Sequence, residues 1–275
     1  MTVIGPWRRP KNSSADEAGG IHDNQTAQAL GFEGGTIPGS VSMEQFTPLL
    51  TNYFGDQWWA TGGLSVFLAR PVFDNEPVRC ILEPATDTKA RVWMENRDGD
   101  IVVNGTASLG DDPFSEIKSR LQDNRKNPDL RMMADVVIGK PSPVCRARIT
   151  DEQVDERLPL ITEPMECYAS KNQFGQKVAP IEPYVHAFRG VEEHIIPING
   201  AYVGMFGAIE VQYLSGPVTA NTDYLCKGEV IALSASAKTE IVWYTATLSD
   251  AKNGREVARM TKMDRLLKSA SPLWN

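Results

Sequence analysis

Phe67-Leu68-Ala69-Arg70-Pro71-Val72 returns 146 residues later as Tyr213-Leu214-Ser215-Gly216-Pro217-Val218, and the same offset carries Asn75 onto Asn221 and Cys80 onto Cys226. With a slip of four residues the match extends to Val92-Trp93 against Val242-Trp243. Coincidences in this order, in stretches of similar polarity, imply two copies of one folding unit. Function is then to be sought in what differs between the copies.

Outward from the first copy the texture is that of strands. Leu64–Leu68, Val78–Leu82, Lys89–Glu95 and Ile101–Leu109 alternate or run apolar, and Asn96-Arg97-Asp98-Gly99-Asp100 reads as a hairpin turn between the last two. Ahead of them Phe46, Leu49, Leu50, Tyr53 and Phe54 recur at helical spacing within Pro38–Phe54, where Pro48 kinks or divides the helix. One helix followed by a meander of four strands is an α+β unit. The second copy repeats the series as Ala208–Leu214, Asp223–Ile231, Lys238–Thr247 and Arg255–Lys262. The offset places its helix start near Glu182-Pro183-Tyr184, with His186 at the start of that helix. The expected units are residues 1–132 and 133–275, joined by a charged stretch, Pro113–Arg131, that links them or covers an edge.

The 275 residues are 41% hydrophobic and 23% charged, an ordinary globular composition. A net charge of −7 spread along the chain argues against a nucleic-acid partner, which needs clustered Lys and Arg. Arg8 and Arg9 are followed by no apolar run, so neither a signal peptide nor a membrane span is expected, and the expected location is the cytoplasm. Cys80, Cys145, Cys167 and Cys226 have no CxxC spacing, and no metal site is expected.

The sharpest cluster precedes the first helix: Gly20-Ile21-His22-Asp23-Asn24, then Ala27, Gly31-Phe32, Gly34-Gly35 and Ile37-Pro38-Gly39-Ser40. It resembles the motif of the MaoC-like hydratase and dehydratase family, whose larger members pair two such units as a double hotdog. The resemblance implies two hotdog-like halves, each an antiparallel sheet wrapped around a central helix. It also implies a lyase that adds water to, or removes it from, an unsaturated or β-hydroxy carbonyl compound such as an acyl-coenzyme A thioester, with no metal or redox cofactor. Such chemistry needs a proton acceptor near neutrality, and the ordinary histidine pKa of about 6.5 suits it. His22 is therefore the candidate base or acid, with Asp23 or Glu17 as its carboxylate, and the amides of Gly39 and Ser40 are candidates to hold the developing oxyanion. Two alignments stay open: one sets His22 on the family's histidine with Glu17 as the acid, the other puts Ile21 there and Asp16 in the acid's place. Pro38 stands where many members carry a histidine.

Trp58, in the Trp58-Trp59 pair, and His186 are further candidates for the pocket wall. Sheet edges and tandem aromatics in need of cover point to a homo-oligomer. Gly34-Gly35 reads as a plain chain reversal, and Asp23 has an alternative role as a helix cap. The rival functions are a thioesterase on the same fold, a non-catalytic acyl-binding or scaffold protein, and a site reused for a substrate that is not a thioester. The His22 cluster has no copy near Cys167–Asn172, so one site per chain is expected.

Overall fold

The computed structural model describes residues 1–122 and 128–274. Residues 123–127 of the expected linker lie outside them. The strands are β1 (Val3–Ile4), β2 (Gly62–Leu68), β3 (Val78–Thr86), β4 (Lys89–Asn96), β5 (Ile101–Leu109), β6 (Cys145–Arg148), β7 (Gly204–Tyr213), β8 (Asp223–Ala235), β9 (Thr239–Asp250) and β10 (Glu256–Leu267). The helices are α1 (Asn24–Ala29), α2 (Gly39–Glu44), α3 (Thr47–Phe54), α4 (Gln57–Thr61), α5 (Glu116–Gln122), α6 (Asp151–Arg157), α7 (Glu166–Ala169), α8 (Ile181–His186) and α9 (Arg189–Ile195).

All ten strands form one antiparallel sheet in the order β1-β3-β4-β5-β2-β7-β10-β9-β8-β6. Each half contributes five strands, and the order reads the same from either end once the repeat is applied. The halves meet at β2 and β7, where Gly63 pairs with Gln212, Leu64 with Val211, Ser65 with Glu210 and Val66 with Ile209. Under the 146-residue offset the first of these pairs generates the last, and the second generates the third. The junction is thus a two-fold interface between two copies within one chain. The helices α2–α4 and α8–α9 contribute side chains to a single core with the sheet, in which Phe46, Leu50, Trp58, Tyr184, Phe188 and Tyr213 are sealed.

The corner that follows Pro71-Val72 in the first half and Pro217-Val218 in the second is matched in its backbone. Asn75 and Asn221 are the only non-glycine residues at positive φ among those described, at 59° and 56°. The Asn75 amide bonds Pro10 O at 2.9 Å, and the Asn221 amide bonds Ile149 O at 2.7 Å. Asparagine tolerates this left-handed conformation better than other side chains do.

The offset itself changes along the chain. Ile37 N bonds Val72 O and Ala179 N bonds Val218 O, so the entry to α2 corresponds to the entry to α8 at an offset of 142, and Pro38 matches Pro180 rather than Tyr184. Cys80 pairs with Met94 and Cys226 with Leu248, which sets β4 against β9 at an offset of 154. Val92-Trp93 and Val242-Trp243 are therefore not equivalent. The difference is a longer hairpin: β8 and β9 have 13 and 12 residues where β3 and β4 have 9 and 8.

Pro48 divides the expected long helix into α2 and α3 and lies in the first turn of α3, where its missing N–H costs nothing. The charged linker contributes α5, which lies on the outer face of the sheet rather than along an edge: Ile117 packs with Ala208, Trp243 and Met263. Trp58 and Trp59 are core residues, 0% and 5% exposed, and need no partner subunit to cover them. Both edge strands are short, which limits edge-to-edge pairing. Among the described residues no helix is long and apolar enough to cross a membrane.

Replacing Asn221 by Val should lower unfolding free energy by about 1–2 kcal/mol, because a β-branched side chain is strained at positive φ, while Asn221→Gly should be close to neutral. Urea unfolding of the two variants beside wild type measures the difference.

Candidate functional site

His22 is fixed by its backbone before its ring is considered. Its carbonyl accepts the Asn12 side-chain amide at 2.8 Å, and the preceding carbonyl, of Ile21, accepts Thr36 N at 2.9 Å. Gly35 lies so close that a Cβ there would sit 2.2 Å from His22 O. The Gly34-Gly35 pair is thus more than a chain reversal, since position 35 must lack a side chain for the strap to close. The ring then places Nδ1 2.7 Å from Thr36 O. A carbonyl can only accept, so Nδ1 carries a proton, and in the neutral ring Nε2 has the lone pair. The partner that sets the tautomer is a backbone carbonyl, in place of the expected carboxylate.

Asp23 does something else. Its carboxylate caps α1, accepting Gln25 N and Thr26 N at 3.1 Å each, and the hydrogen bonds from the Thr26 side chain and these amides hold it below the usual carboxylate range. Its oxygens are committed to the helix start and it does not line the cavity described next. Glu17 does line it, as an exposed residue.

That cavity, of about 550 Å³, lies between the halves. On the first half's side it is bounded by His22 and by the start of α2, Pro38-Gly39-Ser40. The first two amides of a helix have no intrahelical acceptor, and no hydrogen bond from elsewhere in the described chain engages those of Gly39 and Ser40. The Ser40 hydroxyl is also sealed, without a partner among the described residues. A Cβ at Gly39 would come within 2.6 Å of Leu68 Cδ1 and 2.9 Å of Phe206 Cδ2, so a larger residue would have to displace side chains from both halves at the helix start. On the second half's side the wall includes His186, Arg189, Glu192, Lys262 and Asp264. Trp58 is absent from the lining, because it stacks in the core on Phe54 and edge-on to Tyr213. His186 ends α8 rather than starting it, a consequence of the 142-residue offset. Its Nε2 lies 3.0 Å from Arg189 Nη2 and accepts from it, which leaves Nδ1–H as a donor. Burial and the nearby Arg189 push its pKa down to about 4, so the ring is neutral.

The two-fold relates this cavity to a second place, and there the space is filled. Val178 N bonds Cys167 O as Thr36 N bonds Ile21 O, so Tyr168 takes the position of His22. The 142-residue offset likewise sets Glu44 opposite His186. Glu44 is buried, accepts the Tyr168 hydroxyl at 2.8 Å and receives the first amide of α8, Ile181 N, at 2.5 Å. A carboxylate of the chain itself thus occupies the helix start that is open in the first half. The same symmetry sets His186 facing Gly39 and His22 across the cavity. Neither Glu44 nor Tyr168 is marked in the sequence by a motif; the pattern Pro180-Ile181-Glu182, read as the copy of Pro38-Gly39-Ser40, is the signal that leads to them.

No protein-family model matches the chain, and no curated protein matches it by sequence. Solved structures do match along nearly its whole length. A MaoC domain protein dehydratase from Chloroflexus aurantiacus aligns at a TM-score of 0.64 over 97% of this chain and 94% of its own, with 9% identity. A Mycobacterium tuberculosis protein described as having a double hotdog fold aligns at 0.63 over 97% and 96%, with 10% identity. This chain is a double hotdog. A further structure, a MaoC-like dehydratase, aligns with the double hotdog at 0.57 over 96% and 97%, with 12% identity.

Two measurements test the assignments within the site. Asp23→Ala should lower Tm by roughly 2–4 °C, the ordinary effect of losing a helix cap, and leave His22 in place. Burial, opposed by the Ile181 amide and the Tyr168 hydroxyl, pushes the Glu44 carboxyl up to about 7. Because the folded-state value is raised, the protonated group stabilises the protein fully below the unfolded value near 4.5, and that contribution is lost as pH rises through 7. Glu44→Gln should flatten the decline of Tm between pH 5 and 8; an unchanged decline would show that Glu44 does not titrate there.

Proposed function

We propose that the cavity hydrates a 2-enoyl thioester, or dehydrates the corresponding 3-hydroxyacyl compound, at a single site per chain. The observation that carries this is His22, whose Nδ1–H is tied to a backbone carbonyl so that a basic Nε2 remains in a cavity that also receives the unengaged amides of a helix start. In the forward direction Nε2 takes a proton from water as the water oxygen bonds to C3. The π pair of the C2–C3 bond moves toward the carbonyl, and the amides of Gly39 and Ser40 hold the charge on its oxygen. The imidazolium then returns the proton to C2, which restores the thioester carbonyl and the starting base. Glu17, the motif carboxylate that lines the cavity, is the candidate to take part, and Asp23 serves the fold. The likeness to MaoC-like dehydratases in architecture is consistent with this chemistry; the fold alone does not choose it.

A single site is favoured by Glu44, which closes the symmetry-related place with a carboxylate of the chain's own. No metal or redox cofactor enters the reading.

With a short-chain 2-enoyl-coenzyme A, loss of the conjugated double bond without release of free thiol is the expected result. His22→Ala should reduce kcat by ~10²–10⁴-fold, the usual contribution of a general acid–base group, with an unchanged circular dichroism spectrum. Release of free thiol with the double bond retained would make the protein a thioesterase, and equal turnover by His22→Ala would remove His22 from the mechanism.

A further inference from the structure

The wall opposite His22 is unusual for a cavity meant to take hydrocarbon. Lys262, with its side chain 3% exposed, sits between two carboxylates at 3.1 Å each, Glu192 Oε1 and Asp264 Oδ2. Its ammonium also lies 3.8 Å from the centre of the Phe206 ring, the same ring that closes on Gly39. The ammonium is thereby paired within the wall. Glu192 Oε1 takes a second bond, from the Tyr244 hydroxyl. Glu192 Oε2 has no partner among the described residues, yet it is not one of the atoms sealed from solvent, and its side chain is 24% exposed. His186 Nδ1–H on the same wall is likewise unengaged.

An alkyl chain laid against this wall would strip water from an ionised carboxylate oxygen and an imidazole N–H and offer neither a partner, which is costly. A hydroxyl satisfies both, donating to the carboxylate and accepting from the ring. The wall carries as many acidic as basic side chains, Glu192, Glu193 and Asp264 beside Lys262, Arg189 and Arg265, so it offers no net charge to draw in an ionic group.

We propose that Glu192, held by Lys262 and Tyr244, is a specificity-determining residue that binds a hydroxyl group on the acyl portion of the substrate, with His186 as the donor to the same hydroxyl. The inference deepens the acyl-thioester reading and rests on it: the substrate class becomes polar, hydroxylated acyl thioesters rather than plain fatty ones.

The test compares two saturated acyl-coenzyme A thioesters of equal chain length, one bearing a hydroxyl toward the chain end, for binding by calorimetry, and the matching 2-enoyl pair for kcat/KM. Wild type should prefer the hydroxylated member at least tenfold in both, and Glu192→Gln should bring the ratio toward one. Equal affinity, or preference for the plain chain, overturns the inference while leaving hydration intact. Binding and turnover of neither member overturn the acyl-thioester reading itself, and the inference with it. The wild-type comparison decides the matter even if the variant does not fold.

Discussion

The pairing of β2 with β7 is the constraint on which the rest depends. It joins the halves backbone to backbone at the one place where the two-fold axis crosses the sheet. Every other element is then placed by that axis: α8 opposite α2, Glu44 opposite His186, Tyr168 opposite His22. A cavity lined by residues from both halves follows, because the start of α2 faces the end of α8 across the join. Gly39 shows how tightly the join is drawn, since a methyl group there would press on Leu68 from one half and Phe206 from the other.

Duplication within one chain lets the two symmetry-related places diverge, which identical subunits cannot do. The first half keeps an imidazole with a free nitrogen near an open helix start. In the second half a tyrosine and a glutamate fill the equivalent space, and Glu44 gives Ile181 N an acceptor that Gly39 N lacks among the described residues. Burying that carboxyl raises its pKa, so the filled place makes the fold sensitive to alkali.

Much of the architecture was legible in the residues. The Pro-Val corners, Asn75, Asn221, Cys80 and Cys226 marked equivalent backbone, because a positive φ and a sealed small side chain restrict residue choice strongly. Eight of the main strands announced themselves by apolar runs, whereas β1 and β6 are too short to carry a period. The Val-Trp match misled because a hairpin lengthened by whole pleats keeps its pattern while shifting its register. The same drift in offset hid Pro180 as the copy of Pro38 and put His186 at the wrong end of its helix. Of the residues that line the cavity, His22, Glu17, Gly39, Ser40 and His186 are marked in the sequence by motif and offset. Asp23 could be read as partner or cap, and local capping geometry decided for the cap. Trp58 was drawn to the pocket by its neighbour in sequence, but its ring turns into the core. Glu192, Lys262 and Asp264 could not be found this way, since they meet only when a side chain of α9 reaches across to residues some seventy positions later on β10.

The lengthened hairpin of the second half ends near Glu240, which is fully buried. Its carboxylate accepts the amides of Arg131, Met132 and Met133 at 2.8, 3.0 and 2.9 Å and the indole of Trp274 at 2.7 Å. Burial alone would raise its pKa, but those donors more than offset this and keep it lowered. The segment entering the second half is therefore held by a residue more than a hundred positions later and shares that anchor with the C-terminal end. During synthesis the first half can collect its own four main strands as it emerges. The second cannot fasten its beginning until residue 240 has left the ribosome, so a nascent chain arrested before that point would carry a loose joint where the folded protein has three amides gathered on one carboxylate.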